Sequence, residues 1–171
     1  VAELYTRTNQ KVFFAGLALQ AWRKAIDSGQ FNAAALIQAE REACLFHLYG
    51  GVLGLCHEVA AFYRLPGRDA SQVEAFLRQE LLAEAPGPEL GELIELAQAP
   101  QSWLVKLLEA YQQMFQPSLQ VKPAKVDPTL PLIGAVNLDD APEPLQLEQL
   151  EAWLQALKEL ALRFRENLLE W

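Results

Sequence analysis

Residues 31–65, FNAAALIQAEREACLFHLYGGVLGLCHEVAAFYRL, read as one uninterrupted helix. Ala, Leu, Glu, Gln, Arg and Cys fill it, and Pro66-Gly67 is the first strong stop signal after it. At 1.5 Å per residue the stretch spans about 50 Å, long enough to serve as the spine for several shorter helices. The expected fold class is therefore all-α: an antiparallel helical bundle of four main helices, forming a single domain over residues 1–171, with a short extra helix and a long proline-rich crossover.

The spine has a small-residue side. Ala39, Ala43, His47, Gly50 and Gly54 recur at steps of four, four, three and four, which lines them up on one face where a neighbouring backbone can approach closely. Each helical glycine costs about 1 kcal/mol relative to alanine, so close packing is expected to return that energy, unless Gly50-Gly51 marks a bend or the face borders a binding cleft.

Other elements follow from periodicity. A first helix is expected over Leu4 to Ser28, closed by Gly29, with Leu4, Lys11, Phe14, Ala18, Trp22 and Ala25 on the inner stripe and Leu17, Ala21 and Ile26 widening it. Ser71 and Glu74 match a capping box, predicting a helix that turns Val73, Phe76, Leu77, Leu81 and Leu82 inward and ends at Ala85. A short helix over Glu89 to Leu96 precedes a stripe from Trp103 to Phe115, with Pro100 compatible with a first-turn position. Pro117 to Pro144 holds six prolines alongside the apolar LPLIGAVNL, the pattern of an extended crossover pressed on the bundle. The last helix, Leu145 to Trp171, repeats Leu147, Leu150, Trp153 or Leu154, Leu157, Leu160 or Ala161, Phe164 and Leu168. Its charged residues, Arg163 and Arg165 among them, cover the opposite side, and Glu159 and Arg163 form an i,i+4 pair.

Composition excludes several classes. With 51% hydrophobic residues the chain is not disordered as a whole. Apolar runs fall well short of the roughly 18 to 20 residues of a membrane span, so none is expected. The opening VAELYTRTNQK lacks the basic flank and greasy core of a secretory signal. The net charge of −8 is uneven: residues 1–68 carry seven basic and five acidic side chains, residues 69–171 seven and seventeen. That acidic majority repels phosphate and argues against a nucleic-acid partner. Cys44 and Cys56 are twelve residues apart on one helix, about 18 Å of rise, far beyond disulfide reach. Unpaired and apolar-flanked, they fit small buried hydrophobes in a reducing cytoplasm.

No phosphate loop, dinucleotide fingerprint, nucleophile elbow, zinc-protease or calcium-loop pattern is present. The histidines, His47 and His57, are ten residues and about 15 Å apart on one helix, Glu89, Glu92 and Glu95 step by threes, and no Glu-x-x-His pair occurs, so neither metal nor cofactor is expected. The candidate ligand-binding group is Arg7, Asn9 and Lys11 on the first helix facing His57 and Glu58 on an antiparallel neighbour, suited to a small anionic or polar molecule. A solvated first turn capped by Thr6 or Thr8 is the structural explanation of the same residues.

Arg41, followed by Glu42 and then His47, resembles the catalytic pattern of HEPN ribonucleases, which pair such motifs across a dimer to cleave RNA. The resemblance implies catalytic roles for Arg41 and His47, although here the motif lies in the second helix where that family carries it in a late one. Over most of its length, in LYTRTNQKVFFAGLALQAWRKA and EREACLFHLYGGVLGLCHEVA, the chain resembles a small uncharacterised all-helical family of Pseudomonas and related gammaproteobacteria. That family has no established activity to transfer. The functional expectation is a non-enzymatic cytoplasmic binding or protein-interaction module, with homodimerisation through the aromatic-rich final helix and Trp171. A small-molecule-binding or hydrolytic protein using the Arg7 to Glu58 group is the alternative.

Overall fold

The computed structural model describes residues 2–117 and 143–169. Within them the chain forms six α-helices and no strand: α1 (Ala2–Asp27), α2 (Ala33–Phe62), α3 (Leu81–Glu84), α4 (Pro88–Gln98), α5 (Trp103–Gln113) and α6 (Leu147–Leu169), with a 3-10 turn at Val73–Phe76. The proline-rich crossover expected over 117–144 lies almost wholly outside the described residues.

A short turn containing Gly29, at φ +60°, reverses the chain between α1 and α2 and makes them an antiparallel hairpin. Helix α6 lies across both. Its start meets the end of α1 through an Arg23–Glu151 ion pair, and its end meets the start of α1 through Arg165 and Asn9, so α6 is antiparallel to α1 and parallel to α2. The parallel register along α2 is fixed at three levels: Arg41 against Leu145, Gly51 against Leu157, and Glu58 against Arg165. Helices α4 and α5 close the other side of α2, where the Tyr49 and Tyr111 rings stack at 3.8 Å and 9°.

Glycines set how close these helices come. A Cβ on Gly54 would sit 2.5 Å from Thr8 Oγ1 and 3.1 Å from Thr8 Cα, and one on Gly51 would sit 2.8 Å from Leu157 Cδ2. The Gly50 and Gly54 end of the expected small-residue face is therefore filled by α1, and α6 presses on the neighbouring Gly51. The other end of that face is open, for Ala43 and His47 border a shallow groove with Phe14, Leu17 and Glu40.

The apolar repeat of α6 is buried as expected, from Leu147 through Leu168. Trp153 and Phe164 belong to this chain's own core and are not available to a partner, while Trp171 lies outside the described residues. The α1 stripe matches expectation at Ala18, Trp22 and Ala25 and departs from it elsewhere. Thr8, Ala15, Ala18, Leu19, Trp22 and Ala25 face inward, while Leu17 and Ile26 are exposed. The capping-box helix is also corrected. Ser71 makes no cap, Glu74 instead accepts a 2.9 Å hydrogen bond from the Tyr49 hydroxyl, and the stretch breaks into the 3-10 turn and the single turn of α3. Val73, Phe76 and Leu81 are nonetheless buried. Ser102, not Pro100, opens α5, its hydroxyl accepting from the Val105 N–H at 3.1 Å.

Helix α2 is also long and apolar enough to cross a membrane by length and composition, but 67% of its most apolar window is buried against the rest of the chain, as in a core helix.

Candidate functional site

The five proposed binding residues do not converge. Asn9 and Glu58 are joined, by a residue the sequence reading placed on the solvated side of α6. The Arg165 guanidinium donates to both Glu58 carboxylate oxygens at 2.8 and 2.7 Å and to Asn9 Oδ1 at 2.9 Å, and lies 4.8 Å from the centre of the Tyr5 ring. The Glu58 side chain is fully buried and that of Arg165 is 18% exposed, so this is a buried, two-pronged ion pair locking α1, α2 and α6 together. Glu58 raises the Arg165 pKa further above its ordinary range through these hydrogen bonds.

The remaining three are engaged elsewhere or exposed. Lys11 lays its aliphatic stem across Gly50 and sets its ammonium 5.1 Å from the Phe46 ring centre. His57 Nε2 is 2.7 Å from the Ala70 carbonyl oxygen, which can only accept; Nε2 therefore carries a proton and donates it, while the ring packs edge-on against Phe76. Arg7 is exposed and makes no ion pair among the described residues. Arg163 pairs with Glu92 on α4 through two 2.6 Å hydrogen bonds and not with the expected Glu159.

Arg41 and His47 also have separate surroundings. Arg41 donates to the Leu145 carbonyl at 2.9 Å and stacks over Trp22, tying the entrance of α6 to the hairpin. His47 lies between Phe14 and Phe46, with ring centres 5.3 Å from each, and its Nδ1 is buried without a hydrogen-bond partner. Burial first, then the Lys11 charge, holds its pKa below the ordinary histidine value.

A second buried carboxylate was not singled out by sequence. Glu89 is 2% exposed and accepts from the Tyr63 hydroxyl at 2.6 Å, but unlike Glu58 it has no ion pair among the described residues. It stands in the first turn of α4, where the helix dipole contributes about 0.3–1 kcal/mol, and the Tyr63 bond about 1.5–3 kcal/mol. Burial, with Glu89 adding to it, pushes the Tyr63 hydroxyl up to about 12, so Tyr63 stays a donor at neutral pH. Both residues line a cleft of about 460 Å³ walled by Phe62, Pro86, Pro88 and Leu168 and edged by Asn167. Gly87 has to be a glycine here, because a Cβ would enter the Tyr63 ring.

Cys44 and Cys56 are free and buried, and burial pushes each thiol up to about 12. Neither is a nucleophile at neutral pH. Both are expected to resist a thiol-reactive disulfide reagent in the folded protein and to react together on unfolding in urea. Rapid reaction of either in the native state would contradict the packing described. Among the described residues no group of three or more His, Cys, Asp or Glu side chains is placed to hold a metal ion.

No curated protein and no solved structure matches the chain. One family model, described as a family of unknown function (DUF6586), matches residues 2–171, and the chain belongs to that family.

Proposed function

We propose that this chain is a non-enzymatic cytoplasmic interaction module that acts as a homodimer, joined along the outer side of α1. The observation that carries this reading is Gly16. It lies in the middle of a long helix, where glycine costs about 1 kcal/mol against alanine, yet a Cβ there would meet nothing within 4 Å among the described residues. No packing among the described residues accounts for it. Phe13 and Leu17 flank it, 62% and 44% exposed, and a shallow groove runs beside them along Val12, Gly16 and Gln20. Phe46, 50% exposed, extends the apolar surface onto α2.

A second copy suits this face better than an unrelated helix because its charges are self-complementary. On the antiparallel hairpin Lys11 stands at one end of the face, and Glu40 borders the groove beside Ala21 at the other. A twofold axis near Gly16 crosses α1 with its symmetry mate and brings each Lys11 toward the partner's Glu40. Small residues at such a crossing let the backbones approach, and the exposed phenylalanines fill the sides. The free, buried cysteines fit a reducing compartment, and the lack of recognisable catalytic motifs agrees with a binding role.

Sedimentation equilibrium tests this. The wild type is expected to sediment at twice its 19.1 kDa chain mass across micromolar concentrations. The double variant Phe13→Glu/Leu17→Glu, changing exposed positions only, is expected to return to the monomer mass with unchanged helical circular dichroism. A wild-type mass equal to one chain throughout defeats the homodimer.

A further inference from the structure

We infer that the cleft between the end of α2 and the start of α4 is a binding site for a primary ammonium carrying an apolar alkyl or aryl group. The chain buries two carboxylates almost completely, and their treatment differs. Glu58 receives a guanidinium from Arg165, whereas Glu89 receives a neutral phenol from Tyr63 and no cation among the described residues. A buried carboxylate with a neutral partner calls for a counter-charge, and Glu89 lines an open cleft through which one can arrive.

The chemistry of the walls narrows the class. An ammonium with N–H groups can donate to the Glu89 carboxylate and to the Asn167 amide oxygen at the edge. The side chains of Phe62, Pro86, Pro88 and Leu168 are apolar, which suits a hydrocarbon group. The part of the chain beyond residue 68, with seventeen acidic against seven basic side chains, attracts cations and repels anionic ligands. Position matters as well. The Tyr63 ring is held against Gly87, where no side chain would fit, so the phenol is fixed beside one carboxylate oxygen of a residue that lines the cleft. This inference does not depend on dimerisation, since the cleft and the Gly16 face share no residue.

Titration calorimetry of the full chain with 2-phenylethylammonium chloride tests the site, with 2-phenylethanol as the neutral control of the same shape. Saturable one-to-one binding is expected, with a dissociation constant of about 0.1–1 mM for a ligand of this size, and the alcohol binding roughly tenfold or more weaker. Glu89→Gln is expected to weaken the ammonium about tenfold while leaving the alcohol unchanged. Asn167→Trp, at an exposed residue on the rim, is expected to obstruct both ligands without disturbing the fold, and it decides the matter if Glu89→Gln does not fold. Absence of saturation at millimolar ammonium, equal binding of ammonium and alcohol, or binding indifferent to Asn167→Trp would each overturn the assignment.

Discussion

Arg165→Met is expected to destabilise the protein by about 3–5 kcal/mol, the cost of leaving a buried carboxylate without its partner. Against a total stability of about 5–15 kcal/mol for a domain of ordinary size, that removes a large fraction, and melting should fall by roughly 10 °C. The reason is geometric. Glu58 has no exposed side-chain surface, and Arg165 supplies two hydrogen bonds to it. Removing the guanidinium therefore leaves the charge no water to turn to. Asn9 loses its bond to Arg165 at the same time, so the junction of α1, α2 and α6 loosens. Urea denaturation followed by circular dichroism measures the change, and the pair can be separated from its desolvation cost by removing both charges. Glu58→Leu/Arg165→Met should regain most of the loss, because an apolar replacement of a buried pair is often neutral in stability. An Arg165→Met protein within 0.5 kcal/mol of the wild type would show that Glu58 has another means of compensation. A double variant no better than the single one would show that packing, not charge, was lost.

That junction also shows where sequence reading succeeds and where it stops. Helix α2 was legible because its composition favours helix and Pro66-Gly67 ends it, and α6 because one sharp apolar stripe faces a strongly charged side. The inward face of α1 was legible only at Ala18, Trp22 and Ala25, since Phe13, Phe14, Leu17 and Leu19 surround the helix and no single periodic stripe outweighs the others. The turn at Val73–Phe76 was misread for a local reason overruled by a distant one: Ser71 and Glu74 have capping-box spacing, but the Tyr49 hydroxyl takes the Glu74 carboxylate. Asn9 and Glu58 were correctly set near each other by the hairpin, yet their connector is 107 residues beyond Glu58. A signal for it existed. Glu58 sits among Leu55, Cys56, Val59 and Ala60, and a carboxylate in such company requires a cation, which Arg165, next to the core residue Phe164, is placed to provide. Glu89 was lost in the Glu89, Glu92 and Glu95 series, where spacing alone cannot say which of three similar residues faces inward.

Two glycines predict opposite outcomes for the same substitution. Gly54→Ala gains about 1 kcal/mol of helix propensity but places a methyl group 3.1 Å from the Thr8 Cα, a backbone atom that cannot swing aside. Overpacking of this kind costs about 1–3 kcal/mol, and the upper part of the range applies where α1 itself must move, so a net loss of about 1–2 kcal/mol is expected. Thr8→Ala in the same chain removes the Oγ1 contact at 2.5 Å but leaves the backbone contact, and should restore only part of the loss. Gly16→Ala meets open space among the described residues and should raise monomer stability by about 1 kcal/mol, measured by urea unfolding at concentrations low enough to dissociate a dimer. The same methyl group would stand between two crossing α1 helices and weaken their association in sedimentation. Stability and self-association thus move in opposite directions at Gly16, whereas at Gly54 stability falls and self-association stays as it was. A Gly16→Ala chain that gains stability and dimerises as well as the wild type would place the contact surface elsewhere on the bundle, and a Gly54→Ala chain as stable as the wild type would mean that α1 and α2 are not held at the separation their Thr8–Gly54 contact requires.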